Sequence, residues 1–403
     1  MIIRIDDFVI NYQNYSMRSK KIYFQIIPLI FALLLPAKLL VCQTVPASLP
    51  DKSLYTVTKP YETVKVKKVK GKSVKNVILM IGDGMGLVQV SAAWVANHGS
   101  LNIDNCTYSG FSRTWCADKL ITDSGAAGTA MATGSKTNYH CISVDTEGKP
   151  LNSLTDLAHA GGLSTGIVVT CNLSDATPSV FCANNVDRDR EEEIAADYLN
   201  CNVDYIFGAG REKFNKRTDK RDLLNEMKNK GYQVCTTWEE TERITYGKVF
   251  SVPEEGQLPL APERGDLFAR AVMHSLSLLS RNSKGFFAMY EGSRIDDCGH
   301  SNDMPALVEE VFDFDRTIGK VMQWAEKDGH TLVIILADHE TGGLTLLDGS
   351  ISTGTVRGNF STTGHSGILV PVYAYGPGAE EFAGIYENTD VFRKISGLLQ
   401  PAK

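Results

Sequence analysis

None of the nine cysteines forms a CxxC pair, which argues against a cysteine-based zinc site. Positive charge is also in deficit: 41 Lys and Arg against 47 Asp and Glu leave a net charge of −6. That balance gives no basis for a nucleic-acid or other polyanion-binding surface, although a local Arg or metal cluster could still hold a small phosphate. The longest apolar run, Ile26–Ala37, is about a dozen residues and is broken by Pro28 and Pro36, too short for a confident membrane span. The glycine-rich turn Gly82-Asp83-Gly84-Met85-Gly86 is neither a Walker loop nor GxGxxG, and its central aspartate would repel a phosphate. An acid there suits a cation instead. There is no internal repeat and no low-complexity tract.

What remains is an ordinary globular composition, 43% hydrophobic and 22% charged over 403 residues, enough for one large or two ordinary domains. The N-terminus differs from the rest. Met17, followed by Arg18, Lys20 and Lys21 and then by Ile26–Ala37, reads as a secretory signal that starts at Met17, with residues 1–16 an upstream extension. Cleavage is expected near Cys42 and Gln43. Leu39-Leu40-Val41-Cys42 also loosely resembles a lipoprotein box, which would make Cys42 a lipid anchor. Either route exports the mature chain, to the periplasm or beyond. Without Cys42 the remaining cysteines are an even set that permits disulfides of undetermined pairing. Residues 43–75, with Lys65, Lys67, Lys68, Lys70, Lys72 and Lys75, read as a solvated linker, and residues 76–403 as one catalytic domain.

Within that domain apolar strands alternate with helical patterns. Val77–Ile81, Ser164–Thr170, Asp204–Phe207, Gly285–Tyr290, Thr331–Ala337 and Ile368–Tyr375 read as strands. Leu87–Ala96, a segment opening at Ser124, Leu154–Ala160, Gly265–Ser280, Asp303–Lys327 and the C-terminus to Leu399 read as helices. Residues 208–265 lose the alternation and are expected as a small inserted subdomain over the site mouth. The fold class is α/β: a three-layer sandwich with a mainly parallel central sheet and helices on both faces.

In such sheets ligands bind beyond the carboxyl ends of the strands. Asp83, Asp175, Glu291 and Asp338 all follow or close a strand there. Singly, each candidate has a bland reading: Asp123-Ser124 as an N-cap pair, Asp175 and Thr177 as a turn before Pro178, Asp296 and His300 as a surface i, i+4 pair, Arg188 as a surface charge. Jointly they gather acids, histidines (His300, His339, His365) and one nucleophile at one sheet edge. Ser124, in the first turn of a helix and followed by Gly, Ala and Thr, is the nucleophile candidate.

From about residue 75 to its end the chain resembles the alkaline phosphatase family, in Ile81–Gly86, Thr122–Gly134, Asp175–Pro178, Glu291–His300, Ala337–Gly343 and Thr362–Gly367, in that order. The resemblance implies two Zn2+ and one Mg2+. Asp296, His300 and His365 would hold the first zinc; Asp83, Asp338 and His339 the second, beside Ser124. Asp83, Thr177 and Glu291 would hold magnesium, with Asp175 reaching it through water, and Arg188 would clamp phosphate. It further implies phosphate monoesters as substrates, cleaved through a phosphoserine on Ser124, inorganic phosphate as product inhibitor, and a homodimer. Nitrogen and oxygen donors suit zinc and all-oxygen donors suit magnesium. Two such ions about 4 Å apart can steady both oxygens of an in-line displacement.

Two positions depart from the family pattern. Asp297 stands where relatives commonly carry Lys, His or Trp, and is expected to add negative charge near the magnesium side unless it points to solvent. Gly125 stands where many have Ala. The rival readings are a phosphodiesterase or sulfatase of the same superfamily, and a non-catalytic phosphate- or metal-binding protein.

Overall fold

Aliphatic runs without proline make the central strands, and their alternation sends side chains to both faces. The structure, a computed structural model, describes residues 51–69 and 73–399. The expected signal segment, Cys42, Lys70 and Lys72 lie outside the described residues. In chain order the main-sheet strands are β1 (Asn76–Gly82), β2 (Tyr108–Arg113), β3 (Ser164–Asn172), β4 (Tyr205–Ala209), β5 (Tyr232–Cys235), β6 (Lys248–Ser251), β7 (Phe286–Gly292), β8 (Thr331–Leu336), β9 (Val370–Tyr375) and β10 (Gly384–Glu387). They form a 10-stranded sheet in the order β10-β2-β9-β8-β1-β7-β3-β4-β6-β5. Every pairing is parallel except the two made by β9, which is therefore the one reversed strand.

The alternation within β1 builds the two cores. Ile78 and Met80 pack into one cluster, with Val90, Val272 and Leu307 of the helices Leu87–Ala96, Leu267–Leu279 and Met304–Asp328. Val77, Leu79 and Ile81 pack into the other, with Met131, Leu154 and Val391 of the helices Ser124–Thr133, Leu154–Ala160 and Asn388–Leu399. The result is the expected three-layer α/β arrangement. Each fully buried Val, Leu or Ile contributes about 1.5–3 kcal/mol, so the central strands carry much of the fold's stability. No described helix is long and apolar enough to cross a membrane.

Two expectations need correction. Residues 208–265 do not stand apart as a subdomain: β5 and β6 extend the central sheet in parallel register beside β4. Both are only 4 residues long, too short to show an alternation, and the helix Trp238–Thr241 lies between them. The end of the segment does reach the site's rim, where Leu258 offers its carbonyl to Arg294. The expected linker, likewise, is packed chain over residues 51–69. Leu54–Thr56 pairs with Thr355–Arg357, Tyr55 is buried, and the Tyr61 hydroxyl donates to Asp315 at 2.6 Å. Lysines dominate this stretch, but Val66 and Val69 between them pack against the core.

Candidate metal and phosphate site

Four neighbouring strands in the middle of the sheet, β8, β1, β7 and β3, present their carboxyl ends together. Asp83 follows β1, Glu291 lies near the end of β7, Asp338 and His339 follow β8, and Asp175 and Thr177 follow β3. Because β9 is reversed, the segment entering it, with His365, arrives at this same end. The short helix Arg294–His300 after β7 places Asp296 and His300 one turn apart on one face.

Ser124 opens the buried helix Ser124–Thr133. Asp123 is its N-cap, accepting from Gly125 N at 3.1 Å and Ala126 N at 3.2 Å, and Gly134 closes it in the left-handed region. The bland and the functional readings of Asp123-Ser124 therefore coexist. Gly125 is required by close approach, since a Cβ there would stand 2.9 Å from the Cys141 carbonyl oxygen.

The first ligand-type group is Asp296, His300 and His365. His365 Nδ1 lies 2.8 Å from the Thr122 carbonyl and His300 Nδ1 faces that of Thr363. A carbonyl only accepts, so both rings carry hydrogen on Nδ1 and turn Nε2 inward. The two Nε2 atoms are 3.3 Å apart, and Asp296 reaches His300 at 3.1 Å and His365 at 3.6 Å. The Asp296 carboxylate lifts His300 to about 9, whereas burial and the charge of His339 lower His365 to about 4.

The second group is Asp83, Asp338 and His339, all buried. His339 Nε2 lies 3.1 Å from Asp338 Oδ2, 3.4 Å from Asp83 Oδ1 and 3.2 Å from the Ser124 hydroxyl. Thr341 joins the two groups: its hydroxyl donates to Asp296 and stands 3.2 Å from His339 Nδ1, where it accepts from that ring and turns Nε2 to the carboxylates. Gly84, at φ +66°, donates its N–H to Asp338 at 3.1 Å. A side chain there would collide with Thr341 and Asp296.

The oxygen set follows. Thr177 donates to Asp83 Oδ2 at 3.2 Å, and Glu291 is fully buried. Burial, then the charge of Asp175, pushes Glu291 up to about 8. Asp83 is raised well above the carboxylate range by burial and by Asp338, Asp296, Glu291 and Asp175. Asp83 Oδ1, Asp338 Oδ2 and Glu291 Oε1 are buried without a hydrogen-bond partner. Buried acid oxygens without a partner, gathered beside inward-turned imidazole nitrogens, fit divalent cations.

Arg188 lies beside the nucleophile, with Nη1 3.0 Å from Asp123 and Nη2 3.0 Å from Asp175. Asp175, expected behind the magnesium position, here orients the arginine. Asp297 pairs with Arg294 and is half exposed, so the additional acid carries its own cation. Sequence reasoning missed the Arg188 anchor Asp123 as well as Glu340 and Thr341, although all three lie inside the quoted motifs. The cysteines from Cys106 to Cys298 are free thiols.

A serine at a helix N-terminus, an arginine fork and two histidine–carboxylate groups on an α/β sheet define a metal-assisted hydrolase of phosphate-type esters. The alkaline phosphatase family model matches residues 74–359. Alkaline phosphatase 4 of Bacillus subtilis is 31% identical, with 85% of this chain and 92% of that protein aligned. Alkaline phosphatase of Escherichia coli K12 is 26% identical over 81% of this chain and 86% of that one. The solved structure of alkaline phosphatase from the Antarctic bacterium TAB5 superposes with a TM-score of 0.78 at 36% identity, covering 81% of this chain and 99% of its own. The chain belongs to the alkaline phosphatase family, a metal-dependent family of phosphatases, and is a phosphomonoesterase.

Proposed function

We propose that the protein is an exported phosphatase that works through a phosphoseryl intermediate on Ser124 and holds two zinc ions and one magnesium ion. The observation that carries this reading is the spacing of the inward-turned ligand atoms. Two nitrogens each 2.0–2.1 Å from a tetrahedral zinc stand about 3.3 Å apart, and His300 Nε2 and His365 Nε2 are separated by 3.3 Å. Asp296 completes that group, Asp83, Asp338 and His339 form the second, and Asp83, Thr177 and Glu291 supply the oxygens that suit magnesium. Bound cations would supply Lewis acidity, lowering the pKa of the serine and of the attacking water and drawing charge from the phosphoryl oxygens.

The protein's own residues do the rest. Arg188, prepositioned by Asp123 and Asp175, offers its planar fork to two phosphate oxygens. Ser124 Oγ attacks phosphorus, the bond to the ester oxygen breaks, and the alcohol leaves with a proton. Water then attacks the phosphoserine, the Oγ–phosphorus bond breaks, and inorganic phosphate is released. The basic residues Arg18, Lys20 and Lys21 before Ile26–Ala37 support export, with the mature chain starting near Gln43 or anchored at Cys42. The resemblance adds a homodimer.

Acid-quenched protein incubated with labelled phosphate should carry label in wild type and none in Ser124→Ala. Equal label in both would overturn the intermediate. Turnover of a diester or a sulfate ester above a monoester would overturn the proposed reaction.

A further inference from the structure

One buried acid at the site, Glu340, belongs to neither ligand group. It is 3% exposed and lies on the two-residue strand Glu340–Thr341, which pairs with His365–Ser366. Successive residues of a strand point opposite ways, and here Thr341 meets Asp296 and His339 while Glu340 turns to the back of the site.

Every lone-pair position of its carboxylate is used. Oε1 accepts from Gln89 Nε2 at 2.6 Å and from Leu344 N at 3.1 Å. Oε2 accepts from Gly343 N at 3.2 Å and from the Ser366 hydroxyl. Gln89 is fully buried in the helix that starts directly after the Asp83 turn, and it also donates to the Thr341 carbonyl at 2.8 Å. The turn is cut to admit this acid, because a Cβ on Gly86 would lie 2.4 Å from Glu340 Cγ and 2.9 Å from Gln89 Oε1. Three segments carrying ligand-type residues thus meet on one carboxylate: the Asp83 turn through Gln89, the Asp338-His339 segment through the Gly343 and Leu344 amides, and the His365 segment through Ser366.

We infer that Glu340 is a positioning residue that sets the spacing of both cation groups from behind, with Ser366 as its arm to the Asp296–His300–His365 group and Gln89 as its arm to the Asp83–Asp338–His339 group. The inference rests on the metal-binding reading above. A carboxylate suits the task because it has four acceptor positions and no donor. Glutamine keeps one good acceptor oxygen and sets a donor against donors, so Glu340→Gln is a partial replacement. Alanine removes every tie.

The test is zinc competition against a chromophoric chelator, run on stripped, full-length protein with Zn2+ alone as probe, alongside thermal unfolding. Removing residues that orient ligands typically costs about 10–100-fold in metal affinity. Glu340→Ala should weaken zinc binding by that factor, with Glu340→Gln intermediate. Ser366→Ala should weaken only one of the two zinc steps, and Gln89→Ala only the other. Where Glu340→Ala does not fold, the two arm variants carry the test. Wild-type zinc affinity at both steps in Ser366→Ala and Glu340→Gln, with only a lowered unfolding midpoint, would overturn the positioning role. A wild-type protein that takes up no zinc would bring down the metal reading, and this inference with it.

Discussion

Two buried acidic clusters in this molecule solve opposite problems. In the first, Arg264 stands between Glu310 and Asp313 of the long helix Met304–Asp328, at 2.7 and 2.8 Å, with all three side chains at most 3% exposed. The Ala261 amide adds a donor to Glu310 at 2.7 Å, and neither acid has a buried oxygen without a partner. In the second, at the carboxyl end of the sheet, Asp83, Asp338 and Glu291 are also buried, yet each has an oxygen with no hydrogen-bond partner. The acids of the first cluster are closed by a side chain of the chain itself, with Arg264 Nε alone left without a partner. The second is left open, and its unmet charge is what equips it to take cations. Burial alone does not distinguish a structural acid from a site acid; what distinguishes them is whether the protein completes the coordination.

The largest effect should come from opening the closed cluster. Arg264→Met leaves Glu310 and Asp313 buried without their cation and should destabilise the protein by about 3–5 kcal/mol. Denaturant unfolding measures that loss, while zinc uptake by the folded fraction should be unchanged.

The open cluster should show its strain through pH. In stripped protein Glu291 is pushed up to about 8 from 4.5, by burial first and then by Asp175. A carboxyl raised on folding contributes stability that is fully present below its unfolded value and is lost as pH rises through its folded value, each unit counting about 1.4 kcal/mol. Stripped protein should therefore lose stability between about pH 4.5 and 8, and loaded protein much less. Melting curves of the two forms across that window check the sign.

A smaller effect of opposite sign is expected at Asp83. Asp83→Asn removes a crowded buried charge, so the stripped variant should be more stable than stripped wild type by on the order of 1 kcal/mol at pH 8, while zinc uptake and turnover fall. Arg264→Met and Asp83→Asn thus separate the clusters, since one charge deletion harms the fold and the other relieves it.

Arg188 is closed by Asp123 and Asp175 until phosphate arrives. Arg188→Ala should raise KM and weaken phosphate inhibition by on the order of tenfold or more, with a lesser fall in kcat. The smallest effect is expected at Asp297, where the half-exposed pair with Arg294 is worth about 0–1 kcal/mol. Asp297→Ala should shift the phosphate inhibition constant by no more than about threefold.

The sequence made the sheet and the ligand set legible because long apolar runs and short motifs are local signals. β1, β3, β7 and β8 fall within a residue or two of their expected bounds, and the structure brings Asp296, His300 and His365 together, and likewise Asp83, Asp338 and His339. What stayed hidden depends on partners far away in the chain. Glu340 meets Gln89 across 251 residues, and Arg188 meets Asp123 across 65. Strands of 4 residues, such as β5 and β6, carry too little pattern to be told from loop. Lysines around Val66 disguised packed chain as linker. The reversal of β9 is likewise a matter of topology, and it is what brings His365 to the right end of the sheet.

On the proposed reading the sheet-end acids are completed by cations and by nothing in the chain. Equilibrium dialysis of stripped protein against zinc and magnesium, with a melting curve taken on the same samples, tests it most directly. About three cations per chain are expected, with stabilisation of about 4 kcal/mol when free metal is a thousandfold above the dissociation constant. A stripped protein that takes up no cation, and melts at the same temperature with and without metal, would contradict it.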